Sequence, residues 1–285
     1  MTTAYREGTG SGAQGISLFW RVWDAPKPRA SLLLVHGLGE HSGRYDAFGR
    51  VLAEAGISVF SFDLRGHGRS PGPRGDVDAF PRFLEDLLGM EEVMGQQIPG
   101  DLPSFLMGHS LGGLISIRRL QVFKGPYAGA IISAPWMATA LPGWLRRFGK
   151  FLGLALPGLP IPSAVNPKRL TRDPEMMQAW RDDPLVHTRI TGRFFRDVER
   201  VQVKALESGL PGDLPILFLV PGEDRVVQSS VTEAFARGIV GGGVRVEILQ
   251  GRMHEPLNDV GREEVYRIML DWLGTRLGHE PAGSK

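Results

Sequence analysis

The chain predicts an α/β fold, with a mostly parallel central sheet, helices on both faces and an inserted helical cap. Three observations carry this expectation. Short continuous apolar runs, the mark of strands buried on both faces, alternate with stretches that repeat apolar residues at helical spacing. His36, Asp63, Ser110, Asp224 and His254 each lie just past one of those runs, where α/β sheets build their sites. From about residue 137 to 213 the alternation stops.

In order, residues 16–23 read as an edge strand, closed off by Pro26 and Pro28 as prolines do at strand ends. Leu32-Leu33-Leu34-Val35 is the first buried run, and a helix is expected over about 46–55. Residues 57–62 form the next buried strand, and Phe80, Phe83, Leu84, Leu87, Leu88 and Val93 mark a helix. Phe105-Leu106-Met107 is a strand running into a sharp turn, and the helix after it continues through Leu114, Ile115 and Ile117. Strands follow at 130–133, 216–220 and 244–249, and a last helix at about 262–277 repeats Val265, Ile268, Met269, Trp272 and Leu273. Residues 1–136 and 214–285 then make one core. Residues 137–213, apolar and proline-broken first and charged and helical from 173 to 206, make a cap over the site, since lids and pockets favour such insertions.

Composition narrows the classes. The 285 residues suit one large α/β domain with an insertion, and 33 basic against 31 acidic side chains leave a net charge of +2, which recommends no nucleic-acid partner. Basic residues cluster at Arg146, Arg147 and Lys150 and at Lys168, Arg169 and Arg172; a solvated face explains both. Cysteine is absent, which removes disulfides, thiolate chemistry and cysteine-held metals. The Gly-, Thr- and Ser-rich start shows no signal peptide, and no run of about 20 apolar residues suits a membrane span. The reading is a cytoplasmic protein. Peripheral membrane or micelle contact is expected through residues 141–165, where an apolar run lies beside basic side chains. Nothing in the sequence speaks to oligomeric state.

Gly108-x-Ser110-x-Gly112 is a nucleophile elbow. A serine on a strained strand-to-helix corner needs neighbours without side chains. The helix behind it offers the Leu111 N–H and a positive dipole end to an oxyanion. A neutral hydroxyl needs a general base. Of seven histidines, His279 falls in the tail, His187 in the cap and His67 in a glycine-flanked turn. His36 is expected to order its loop, and the His109 side chain to point away from the site. His254 remains, after the last strand, in the chain order Ser, acid, His that suits this elbow. For the acid, Pro221-Gly222-Glu223-Asp224 favours Asp224, which can aim at the ring and fix its tautomer. Glu223 is the spare, and Asp213 and Asp259 are weaker alternatives. The second oxyanion donor falls to the Leu38 N–H, in the loop after the first buried strand. Glu40 and Arg44 either bind a polar head group or, the preferred role, form an internal ion pair.

His36-Gly37-x-Gly39-Glu40-His41-Ser42-Gly43-Arg44-Tyr45, Asp63-x-Arg65-Gly66-His67-Gly68-x-Ser70, Gly108-His109-Ser110-x-Gly112-Gly113 and Asp183-Pro184-Leu185 together resemble the monoacylglycerol lipase and lysophospholipase branch of the α/β-hydrolases. The resemblance runs from about residue 32 to 277. It implies serine hydrolysis of a carboxylic ester with one acyl chain, a small lipid substrate, under a cap whose apolar face admits lipid. It implies Ser110, Asp224 and His254 as the triad, Leu38 and Leu111 as N–H donors, and no metal or organic cofactor. The cap matches the family least, which leaves chain length and head group open. Rival readings keep the triad but change the substrate to a short-chain ester, a thioester or a peptide N-terminus, with Glu40 and Asp183 to hold the amine. Haloalkane chemistry is disfavoured because it would need an aspartate at position 110. A non-catalytic ligand-binding protein on the same fold is the reading from another class, disfavoured because no triad member is missing.

Overall fold

The apolar runs become strands because a sheet covered on both faces leaves no strand residue next to water. The computed structural model describes residues 4–278 apart from 99, 124 and 164, with the backbone alone at 146, 150 and 152. His279 and the side chains of Arg146 and Lys150 therefore lie outside the described residues. The chain runs through β1 (Ala4–Ser11), β2 (Ser17–Asp24), β3 (Ala30–Val35), α1 (Asp46–Glu54), β4 (Ile57–Phe62), α2 (Pro81–Gln97), β5 (Ser104–His109), α3 (Leu111–Val122) and β6 (Tyr127–Ser133). There follow α4 (Gly143–Ala155), β7 (Pro160–Pro162), α5 (Pro167–Leu170), α6 (Pro174–Asp182), β8 (Arg189–Thr191) and α7 (Gly192–Ser208). The chain then returns through β9 (Ile216–Pro221), α8 (Ser229–Arg237), β10 (Val244–Leu249) and α9 (Arg262–Arg276).

One eight-stranded sheet has the order β1-β2-β4-β3-β5-β6-β9-β10. It is parallel from β4 to β10 and antiparallel at β1/β2 and β2/β4. The strand read as an edge is thus second in the sheet, because β1 pairs along its whole length, from Ala4 opposite Asp24 to Ser11 opposite Ser17. β1 is polar and mostly exposed. Its place comes from main-chain bonding to β2, which leaves no apolar signature to read.

Successive side chains of a strand point to opposite faces, and both faces are filled here. Leu33, Val35, Phe60, Phe62, Leu106, Ile132 and Phe218 pack with α2, α3 and α7. Leu32, Leu34, Val59, Phe105, Met107, Ile131 and Leu217 pack with α1 and α9. The parallel strands all end at one edge, and the loops carrying His36, Ser110 and Asp224 leave from it.

The segment between β6 and β9 crosses this edge. Its charged half is not one helix: α6 and α7 are separated by Asp183, Pro184 and β8, which pairs antiparallel with β7. Proline disfavours helix for the residue before it and lacks the donor to continue one. Several contacts hold the segment to the core. The His187 N–H donates to Gly39 O at 2.9 Å, and His41 Nε2 meets Asp183 Oδ2 at 2.7 Å. Asp76 accepts from the Thr191 hydroxyl at 2.5 Å and from Arg193 Nε at 2.7 Å. Gly39 has φ of 75°, and a Cβ there would overlap the His187 carbonyl, so this junction needs glycine. Among the described residues no helix is long and apolar enough to cross a membrane.

Candidate active site

Ser110 sits between β5 and α3 at φ 53° and ψ −114°, a conformation that costs a non-glycine residue about 1–3 kcal/mol and persists only where the surroundings over-determine it. They do so here. Its N–H donates to Ser133 O at 3.0 Å, and its carbonyl accepts from the N–H of Leu114 at 3.1 Å and of Trp136 at 2.9 Å. The flanking glycines permit the close approach of backbones: a Cβ on Gly108 would overlap Gly112 O and Ser116 Oγ, and one on Gly112 would overlap Val35 O. Leu111 opens α3 directly behind the serine, so its N–H is among the helix-end donors that α-helical bonding leaves unpaired.

His254, in the loop after β10, places Nε2 2.9 Å from Ser110 Oγ and Nδ1 2.7 Å from Asp224 Oδ2. A carboxylate facing Nδ1 makes that nitrogen the donor, so Nε2 is free to accept from the hydroxyl. Asp224 Oδ1 accepts from the N–H groups of Val226 and Val227 at 2.7 and 2.9 Å, which aims the other oxygen at the ring. Burial disfavours charge on the His254 imidazole. The negative charge and hydrogen bond of Asp224, with Glu255 and Glu40 beyond it, outweigh burial and raise the pKa above the ordinary value. The other carboxylates weighed from sequence lie elsewhere. Glu223 is 44% exposed and pairs with Arg172. Asp213 is exposed on a loop. Asp259 is buried and bonded to backbone.

The loop after β3 is set by buried polar groups. His36 donates from Nδ1 to Gly37 O at 2.8 Å and accepts the Leu64 N–H on Nε2 at 2.9 Å, and burial lowers its pKa to about 3, so the ring stays neutral. Asp63 accepts from the N–H and hydroxyl of Ser42 and from the Arg69 N–H, an ordering role. A Cβ on Gly37 would lie 3.2 Å from Ser110 Cβ, so the backbone just before Leu38 approaches the serine closely. Glu40 Oε1 accepts the Gly37 N–H at 2.5 Å and the Tyr45 hydroxyl at 2.8 Å. Arg44 lies between Glu40, at 3.3 Å, and Glu255, which sequence reasoning missed although it adjoins His254. Burial and then the neighbouring Glu255 charge push the Glu40 carboxyl up to about 7.

His109 corrects an expectation. Its ring is buried against that of His254, centroids 5.1 Å apart, rather than turned away. Nδ1 lies 3.3 Å from Ser133 Oγ at the end of β6, a contact that helps hold the ring on the site side.

Two cavities meet at Ser110. One, of about 420 Å³, is lined by Leu38, Trp136, Leu141, Leu145, Phe148, Ile161, Val165, Ile190, Phe195 and Val226, with Thr139 and Ser163 the other hydroxyls. The second, about 10 Å³, is lined by Glu40, Glu255, His109 and His254 among others and is of the size that holds one water. Among the described residues no group of three or more His, Asp or Glu side chains is arranged to hold a metal ion.

A largely parallel sheet that presents a serine on a strained strand-to-helix corner, with a histidine and a carboxylate on loops past later strands, defines an α/β-hydrolase. Residues 26–261 match the family described as Hydrolase_4, serine aminopeptidase S33, and the chain belongs to that family. It is 32% identical over 276 residues to the human monoglyceride lipase, covering 93% of this chain and 89% of that one. It is 27% identical over 275 residues to the monoacylglycerol lipase of Mycolicibacterium smegmatis, covering 94% and 96%. The crystal structure of the Paleococcus ferrophilus monoacylglycerol lipase superposes with a TM-score of 0.79 at 31% identity, covering 91% of this chain and 99% of that one.

Proposed function

We propose that this protein hydrolyses carboxylic esters of lipids carrying a single acyl chain, by acyl transfer through Ser110. The observation that carries the reading is Ser110 Oγ within hydrogen-bond reach of His254 Nε2 while lining a cavity whose other walls are almost wholly apolar. The lipases among its relatives support it. His254 takes the proton as Ser110 attacks the ester carbonyl. The N–H groups of Leu38 and Leu111 receive the oxyanion, an interaction worth about 3–4 kcal/mol per donor in comparable sites. His254 then protonates the leaving alcohol, and water repeats the sequence on the acyl-enzyme. Asp224 orients the ring and stabilises its charged form.

Residues 137–213 act as the cap. Since a dry cavity of about 150 Å³ takes a benzene ring, 420 Å³ suits an acyl chain on the order of fifteen carbons. An amine substrate is less well served: Asp183 is engaged by His41, and Glu40 by Gly37, Tyr45 and Arg44. Helix α4 is apolar on both sides. Leu145 and Phe148 line the cavity, while Trp144, Phe151 and Leu154 are 68%, 63% and 67% exposed, with Arg147 exposed beside them. Such a patch marks an interaction surface, and a lipid surface is the source of the substrate, so α4 makes peripheral membrane contact.

The test is hydrolysis of monoacylglycerols and p-nitrophenyl esters of graded chain length, with Ser110→Ala as the blank. Preference for medium or long chains, abolished in the variant, is expected. Turnover of acetyl and butyryl esters alone would overturn the lipid reading.

A further inference from the structure

We propose that Asp259 is a positioning residue for His254, and that through it residues 170–172 of the inserted segment are tied to the general base. The inference rests on the reading of His254 as that base.

His254 stands in a loop without regular structure, between β10 and α9, yet its ring has to be held to within about half an ångström of productive geometry. Both of its neighbours are bonded. On one side the Met253 N–H donates to Asp259 Oδ2 at 2.9 Å. On the other the Glu255 N–H donates to the carbonyl of Leu170 at 2.9 Å. Asp259 closes the circuit, because its Oδ1 accepts from the N–H of Arg172 at 2.7 Å and of Val260 at 3.0 Å, and lies 3.0 Å from the Thr171 hydroxyl. The stretch that follows α5 is thereby bonded to the loop on either side of the base.

The chemistry requires a carboxylate. Asp259 is 1% exposed, and three backbone N–H donors converge on its two oxygens, with the Thr171 hydroxyl shared between Oδ1 and the Asn258 carbonyl, 2.9 Å away. An ionised carboxylate offers acceptors only, whereas an amide turns one N–H₂ toward donors. Bonds to an ionised acceptor are also about twice as strong as neutral ones. Asp259 has no bond to the imidazole, whose Nδ1 is taken by Asp224, so it acts through the backbone.

The experiment compares Asp259→Asn and Thr171→Val with the wild type in thermal denaturation, steady-state ester hydrolysis and the pH dependence of kcat/KM. Asp259→Asn is expected to lower kcat by about 10- to 100-fold, the range a displacement of about 1 Å produces. KM is expected to stay within about twofold, the cavity being untouched. The acid limb of kcat/KM is expected to move to lower pH, because a looser contact with Asp224 stabilises the imidazolium less. Thr171→Val, which removes the hydroxyl shared between Asp259 Oδ1 and the Asn258 carbonyl, is expected to shift kcat and the limb in the same direction by less. Variants that fold but keep wild-type kcat and acid limb, whatever their melting temperature, would overturn the proposal by assigning Asp259 a purely structural role. If Asp259→Asn lacks a cooperative transition, Thr171→Val decides by the same two readouts. His254→Ala serves as the separate control: full activity there would overturn the base assignment itself.

Discussion

The loops at the sheet edge and helix α4 of the inserted segment present different surfaces to Ser110, one of directional polar groups and the other largely apolar. Around Ser110 the main polar groups have partners. Ser110, His254, Asp224, Glu40, Asp63 and His36 all make hydrogen bonds of 2.5 to 3.0 Å. In the inserted segment, Trp144, Phe151 and Leu154 stand in solvent, and the buried Ser163 hydroxyl, on the cavity wall, has no partner. The difference separates two tasks. Proton transfer needs groups fixed by directional bonds, whereas taking up an acyl chain needs area without direction. The proposed function thus assigns chemistry to the loops and substrate choice to the insertion.

The largest expected effects test the loops. Ser110→Ala is expected to lower kcat by about 10⁶-fold and Asp224→Asn by about 10⁴-fold, as in other serine triads, with melting temperatures little changed. Initial rates on a p-nitrophenyl ester measure both, and an active Ser110→Ala would break the comparison at its first step.

Next comes the wall of the large cavity. Leu145→Trp is expected to cut kcat/KM for a long-chain monoacylglycerol by about 10- to 100-fold, since overfilling a packed space costs about 1–3 kcal/mol. Butyryl ester turnover is expected to stay within about threefold. Equal losses on both substrates would mean that the wall does not select chain length.

A third test uses pH, where the buried histidines respond in opposite directions. The raised His254 pKa keeps the ring charged to higher pH, so kcat/KM is expected to fall as pH drops through a value above about 6.5. His36 and His187 are lowered by burial, to about 3 and about 4. The unfolded chain then binds protons that the folded one refuses, and stability is expected to decline as pH falls below about 6.5. A kcat/KM profile and a urea midpoint at pH 7 and pH 5 measure the two. An acid limb below pH 6, or a midpoint indifferent to acid, would contradict the corresponding account.

The smallest effect on chemistry and a large one on location is expected from replacing Trp144, Phe151 and Leu154 together by serine. Partition onto vesicles is expected to fall more than tenfold, since each large side chain contributes about 1.5–3 kcal/mol when buried. Turnover of soluble butyryl ester is expected to stay unchanged. Co-sedimentation with anionic and neutral vesicles decides, and wild-type protein that binds neither would remove the membrane contact.

Legibility followed signal type. Strands buried on both faces announce themselves as apolar runs, so β3, β4, β5 and β9 were readable almost to the residue. β1 was not, because a polar strand held by main-chain bonds leaves no pattern, and the short β7 and β8 carry too few residues to show a period. Asp224 could be preferred to Glu223 on sequence because a Gly-x-Asp loop past a strand, followed by small and apolar residues, can aim the carboxylate at the ring. The sequence had no way to reveal that Asp259 bonds Met253, Thr171 and Arg172, since such bonds join positions 6 to 88 residues apart. Nor could it orient His109, whose ring contacts Ser133 and His254, 24 and 145 positions away in the chain.

By itself the sequence determined the alternation of buried strands and helices in the core, the serine corner and the family, because local periodicity and short glycine motifs write backbone constraints into adjacent residues. The tertiary structure decided which carboxylate faces which ring, that Arg44 is shared between Glu40 and Glu255, and how far the cavity extends from Ser110. Those follow from distances between residues remote in the chain, which only the packed sheet and the segment laid across its edge define.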